Sequence, residues 1–213
     1  MNKIITDISS YQEVRDFVVS FINEYSEIEN TNTKFYLHPL GFIYSRLFNL
    51  NDKQIRLHIW HKSYKTKKDL YIHDHYYDLN SWILCGKIKD YLYEISKSTN
   101  KGEFILYEGS YEDNENYRYL RPSKFYCDII NTEERIFSKS DSYYINKGKY
   151  HSNEIIFEDS DYTCTLVITQ NPNSVHSPNV LGRLKQDKII EEKPKIILYK
   201  DMREILENIL NKI

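Results

Sequence analysis

The spacing of apolar residues divides the chain into two helical ends and a long middle of period two. From Ser10 to about Glu27, the residues Tyr11, Val14, Phe17, Val18, Phe21, Ile22 and Tyr25 recur at three- and four-residue steps, which places them on one helix face. Ser10 and Glu13 have the spacing of a capping box, in which each side chain satisfies the other's backbone N–H. Near the other end Met202, Ile205, Leu206, Ile209 and Leu210 repeat the pattern, with Asp201 and Glu204 at capping spacing. Between the helices, β-branched and aromatic residues alternate with polar ones in short runs separated by turns. This predicts strands near 41–48, 54–60, 70–75, 81–85, 87–96, 103–107, 116–129, 135–138, 142–145, 154–157, 162–169 and 195–199. No helical period interrupts them, so βαβ units are excluded. The expected fold class is all-β, a sandwich or barrel with flanking N-terminal and C-terminal helices. The stretch 171–193 predicts a long loop, because its Pro and Asn residues oppose both regular structures.

Composition narrows the partners. The 213 residues are enough for one domain with its own core. Lys and Arg number 29 against 31 Asp and Glu, a net charge of -2, and a general nucleic-acid binder needs a surplus of cations to neutralise phosphates. No nucleic acid is expected. The local basic run Lys62, Lys65, Lys67 and Lys68 is followed at once by Asp69 and Asp74 and reads as a solvated loop. Cys85, Cys127 and Cys164 are odd in number, widely spaced and without a CxxC pair, so a reduced, cytoplasmic setting is expected. The first residues lack a secretion signal and no run approaches the roughly eighteen apolar residues that span a bilayer, so no membrane partner is expected. The 20 tyrosines agree with a strand-rich chain.

The chemistry concentrates in IHDHYYDLNSWILCG and YYINKGKYHSNE. His73 and His75 are two apart, so on a strand both project to one face, with Asp74 on the other. Downstream, Gly148 permits a tight turn and His151 follows it. Three neutral imidazoles from two strands make one face of an octahedral site, which suits Fe, Ni, Cu or Zn and leaves positions for other ligands. By the same two-residue rule Tyr77 shares the histidine face, whereas Asp78 projects away and fits a turn role. In QIRLHIW, Arg56, His58 and Trp60 alternate with Ile55, Leu57 and Ile59; the period separates two faces without saying which is inside. Arg46 has the same ambiguity, sharing a face with Phe42, Tyr44 and Phe48.

With these residues in place, the sequence resembles the cupin superfamily. His73, His75 and Gly86 match its first motif, and Gly148 and His151 its second. The resemblance covers about 41–169 and implies a double-stranded β-helix, a jelly-roll barrel, as the core of a single domain over 1–213. Outside it fall the N-terminal helix (8–28), a loop and late strand (170–200) and the C-terminal helix (201–213). The usual glutamate position holds Leu79 or Asn80, Asn146 replaces the second motif's proline, and both leading glycines are missing. A three-histidine set resembles the cysteine dioxygenase-like branch, which uses Fe(II). That branch also carries a substrate-binding arginine in a Tyr-Thr-Arg context, and Tyr44, Ser45 and Arg46 match it here; a planar guanidinium suits a carboxylate. Its late Ser-x-His-x-Tyr is replaced by Thr165–Thr169 without His or Tyr, so the resemblance is to the branch and not to cysteine dioxygenase itself.

The resemblance implies a mononuclear non-haem iron oxygenase. Its metal would be held by His73, His75 and His151, with Arg46, Tyr44, Arg56, His58 and Tyr77 as candidates for substrate binding. Fe(II) is the expected cofactor, with Zn, Ni or Cu as alternatives. The expected partners are a small polar or carboxylate-bearing molecule and O2, with a monomer or homodimer as the working form. Two other classes stay open: a non-catalytic metal- or ligand-binding cupin, and a metal-dependent isomerase or lyase without oxygen chemistry.

Overall fold

The computed structural model describes residues 8–27, 32–50, 52–64, 71–112, 117–158, 160–173, 177–183, 189–192 and 194–213. Lys65, Lys67, Lys68, Asp69, Leu70 and His176 lie outside the described residues. In chain order the elements are α1 (Tyr11–Glu27), β1 (Tyr36–Leu37), β2 (Ile43–Leu50), β3 (Lys53–His61), β4 (Ile72–His73), β5 (Asp78–Cys85) and β6 (Lys87–Ser98). There follow β7 (Phe104–Glu112), β8 (Tyr117–Ser138), β9 (Ser142–Ile145), β10 (Tyr150–Ile156), β11 (Tyr162–Gln170), β12 (Asn179–Arg183), β13 (Ile190–Glu192), β14 (Lys195–Ile196) and α2 (Tyr199–Leu210).

Eight of the strands nest as a long hairpin rolled into two sheets. β3 pairs with β11, β4 with β10, β5 with β9 and β6 with β8, so each strand of the opening half meets its counterpart from the closing half. Lateral pairing of β11 with β5 and of β10 with β6 completes the two faces. This order is that of the cupin-type double-stranded β-helix, a double-sheet jelly roll. One sheet runs β14-β1-β2-β3-β11-β5-β9 and the other β13-β8-β6-β10-β4-β12-β7. In the second sheet β7 also pairs with β8, so β8, β6, β10, β4, β12 and β7 close into a ring.

The two helices cover the outer face of the first sheet. Val14, Phe17, Val18, Phe21, Ile22 and Tyr25 of α1 and Met202, Leu206 and Ile209 of α2 are buried with Ile43, Ile55, Leu57, Ile59 and Leu166. Inside the barrel a second cluster joins Trp60, Tyr77, Leu79, Ile83, Tyr143 and Val167. The period-two ambiguity of β3 is thereby resolved: the aliphatic set faces the helices, and Trp60 faces the interior. The α1 capping box forms as expected, with Ser10 N–H donating to Glu13 Oε2 at 3.0 Å and Glu13 N–H to Ser10 Oγ at 3.3 Å. Neither helix is long and apolar enough to cross a membrane.

Several boundaries differ from the sequence expectation. α2 starts earlier, with Leu198 at its N-cap and no side-chain cap, so Asp201 and Glu204 form no capping box, and the strand expected at 195–199 shrinks to β14. The strands expected at 116–129 and 135–138 are one strand of 22 residues. The polar run between them is paired to β6 and faces solvent along an open edge, so its polarity marks exposure and not a turn. Nor is 171–193 simply a loop: β12 inserts between β4 and β7 and buries Val180 and Leu181. β10 starts at Tyr150, ahead of the strand expected from 154, and β1 was not visible in the alternation. Phe48 does not share the Arg46 face, because the register shifts between Arg46 and Phe48 and turns Phe48 onto Phe17 of α1.

Candidate metal centre

His73 lies on β4, His75 two residues further on, and His151 on β10, directly opposite His73 in the antiparallel register. One nitrogen from each lies within 4.8 Å of the others. The turn before β10 brings the strands together: Gly148, at φ +75°, donates its N–H to the His75 carbonyl at 2.8 Å. Asp78, buried on the far side of the chain from the histidines, accepts from Lys147 N–H at 3.0 Å and Asn171 Nδ2 at 2.9 Å, the bracing role its phase suggested. Asp74 also points away and accepts from the backbone N–H and Nδ2 of Asn179, tying β4 to β12.

The protons on two of the imidazoles follow from their neighbours. His73 Nδ1 lies 2.9 Å from the Tyr71 carbonyl oxygen, which can only accept, so Nδ1 carries the proton and Nε2 keeps its lone pair. His151 Nδ1 lies 3.3 Å from Asp90 Oδ1 and donates to that carboxylate, again leaving Nε2 as an acceptor. His151 Nε2 is 3.0 Å from His75 Nε2. Two ligands at right angles, each about 2.1 Å from one metal, are separated by about 3.0 Å. Three imidazole nitrogens gathered in this way are a donor set that suits a divalent metal ion.

Asp90 is fully buried on β6 and shared by three donors. Arg135 Nη2 reaches Oδ2 at 2.5 Å and Asn153 Nδ2 reaches Oδ1 at 3.0 Å, beside the His151 contact. Burial opposes its ionisation, but the hydrogen bonds and charges of His151 and Arg135 outweigh it and hold the carboxyl below its ordinary pKa. The sequence reading missed this residue. Its signal was an aspartate on the inward phase of β6, between Ile88 and Leu92.

The three histidines open into a cavity of about 670 Å³. Of the candidate substrate residues, His58 and Tyr77 line it; Tyr44, Arg46 and Arg56 do not. The reason is topological. β2 is an added strand outboard of β3, and Arg46 sits on it opposite Arg56, while Tyr44 stacks on Tyr36 at 5.6 Å. Arg56 donates to Tyr77 Oη at 2.9 Å and lies over the Tyr77 ring, which in turn stacks on His75 at 4.8 Å. Phe42 and Trp60, absent from the expected set, complete this wall against His58. Burial, and then the charge of Arg56, push the His58 pKa down to about 3, so its imidazole is neutral at physiological pH.

No protein-family model matches the chain, and no curated protein matches its sequence. Solved structures with a similar fold include a DMSP lyase at 11% identity, with 68% of this chain and 53% of that chain covered and a TM-score of 0.38. Hydroxypropylphosphonic acid epoxidase from S. wedmorenis is 11% identical over 68% of this chain and 58% of its own, with a TM-score of 0.39. A hypothetical protein from Leishmania major is 10% identical over 73% of this chain and 80% of its own, with a TM-score of 0.40. The matched region spans only about half of the lyase and epoxidase chains. Likeness of this degree says nothing of substrate or reaction. Fold and site together define a cupin-type barrel with a three-histidine centre.

Proposed function

We propose that the protein is a mononuclear non-haem iron oxygenase, with His73, His75 and His151 as the metal ligands. The observation that carries this reading is the convergence of one ring nitrogen from each of the three histidines, all within 4.8 Å of one another, with His151 Nδ1 directed at Asp90. Within that cluster His75 Nε2 and His151 Nε2 lie 3.0 Å apart, a separation that suits two ligands of one ion and equally an N–H···N hydrogen bond. Iron held by His73, His75 and His151 would supply a redox centre toward dioxygen. The chain's own residues do the rest. Asp90 fixes the His151 tautomer, Tyr77 packs against His75, and Phe42, Trp60 and Val167 give the cavity an apolar lining. His58, neutral, offers a hydrogen-bonding nitrogen at the wall. Three free, buried cysteines agree with a reducing cytoplasmic setting.

Metal analysis of the purified protein tests the assignment. About one equivalent of iron is expected in the wild type and almost none in His75→Ala. A wild-type protein without stoichiometric metal would overturn the reading. Iron without oxygen uptake across thiols, catechols and amino acids would instead point to Lewis-acid or ligand-binding chemistry.

A further inference from the structure

We infer that the ligand of this centre is a planar aromatic molecule bearing two adjacent hydroxyl oxygens, a catechol-type ligand, which seats its ring on the wall formed by Phe42, His58 and Trp60. The inference rests on the metal reading above and names its substrate class.

Four observations converge. The cavity, about 670 Å³, lies in the range of sites that enclose ligands well above amino-acid size. One wall of the cavity that the histidines also line is aromatic: the Phe42 ring centroid lies 4.9 Å from that of His58 and 5.3 Å from that of Trp60. A further flat ring can pack against the face of such a group of offset and tilted rings. The charged side chains that line the cavity among the described residues, apart from the histidines, are Glu154 and Arg183, both exposed. Arg56, whose guanidinium lies over the Tyr77 ring of the cavity lining, donates to Tyr77 Oη and Gln54 Oε1.

An aliphatic amino acid or thiol carboxylate would bring charges for which this wall has no partner, and an unpaired charge moved out of water is costly. A catechol avoids that cost. A divalent metal held by three neutral imidazoles would keep its double positive charge, so a ligand whose two ring oxygens entered as anions, their protons released to solvent, would neutralise it there. The remaining ring is apolar and needs only the aromatic wall, while His58, its pKa near 3, adds no competing charge.

The probe is 2,3-dihydroxynaphthalene, with L-cysteine as the aliphatic comparison, titrated into metal-loaded and metal-free protein. Tryptophan fluorescence reports ring binding, since Trp60 is on the wall and Trp82 packs on the helix side. Equilibrium dialysis with metal analysis gives stoichiometry. Saturable one-to-one quenching is expected in both forms, at least about tenfold tighter with metal, and tighter than L-cysteine in the loaded protein. Phe42→Ala, at a half-buried position, is expected to weaken the probe about tenfold with bound metal unchanged. Trp60→Leu, followed by dialysis, is the second variant. If metal is bound but the probe binds no tighter than L-cysteine, or neither variant weakens it, the inference is overturned and the metal reading stands. If no metal is bound, the metal reading falls; the aromatic wall then stands only if quenching persists and Phe42→Ala weakens it, and otherwise both fall.

Discussion

At the scale of the residue, Asp90 decides how the centre is aimed. Its carboxylate touches His151 of the triad, and it does so from β6, a strand that supplies no ligand. Its oxygens are divided between Arg135 on one side and His151 with Asn153 on the other, so the carboxylate cannot rotate without losing a charged partner. Partners of this kind fix the ring orientation and raise the basicity of the liganding nitrogen. Asp90→Asn keeps the shape and removes the charge. Its metal dissociation constant is expected to rise about 10–100-fold in a competitive chelator titration. An unchanged constant would show that packing alone orients His151.

At the scale of the element, two glycines with similar backbone angles make different demands. Gly86, at φ +81°, turns β5 into β6, and a Cβ there would lie 2.2 Å from Thr163 Oγ1 and 2.8 Å from Thr163 Cα. Gly148, at φ +75°, has nothing within 4 Å of such a Cβ. Gly148→Ala therefore carries only the left-handed backbone cost, about 1–2 kcal/mol, whereas Gly86→Ala adds a collision with β11, for a total of about 2–4 kcal/mol. Urea denaturation of both variants separates the two terms, and equal losses would refute the steric account. Much of this was legible in the chain: the α1 face, the β5 and β6 turn, the HxH pair and the glycine before His151 are local patterns. The face of Arg46 stayed open because its neighbourhood depends on an outboard strand, and strand order is not written in periodicity. Asp90 was missed because its importance comes from Arg135 and Asn153, brought to it by β8 and β10. β12 escaped notice because two prolines mark its surroundings as loop, while the strand itself gains its pairing from β4 and β7.

At the scale of the whole molecule, the rolled hairpin puts a neutral histidine in the barrel wall, and this links stability to acidity. His58 has a folded pKa near 3, below the 6.5 of an unperturbed imidazole. The unfolded chain therefore binds this proton first. The stabilisation is fully present above about pH 6.5, declines as the pH falls and is spent near pH 3. His58→Phe is expected to flatten the pH dependence of unfolding free energy between pH 6.5 and 4 by at most about 3 kcal/mol relative to wild type, measured by chemical denaturation at each pH. Parallel profiles would exclude His58 as the source. The ring of strands in the second sheet carries a consequence in time. β4, two residues long, cannot persist alone, and it is held only between β10 and β12. His73 thus acquires its place only when segments roughly eighty and a hundred positions later have been made and have docked, and such long-range closure is slow. On the ribosome the three imidazoles stay apart until nearly the whole barrel has emerged, so the nascent chain passes most of its synthesis without a finished trap for stray metal.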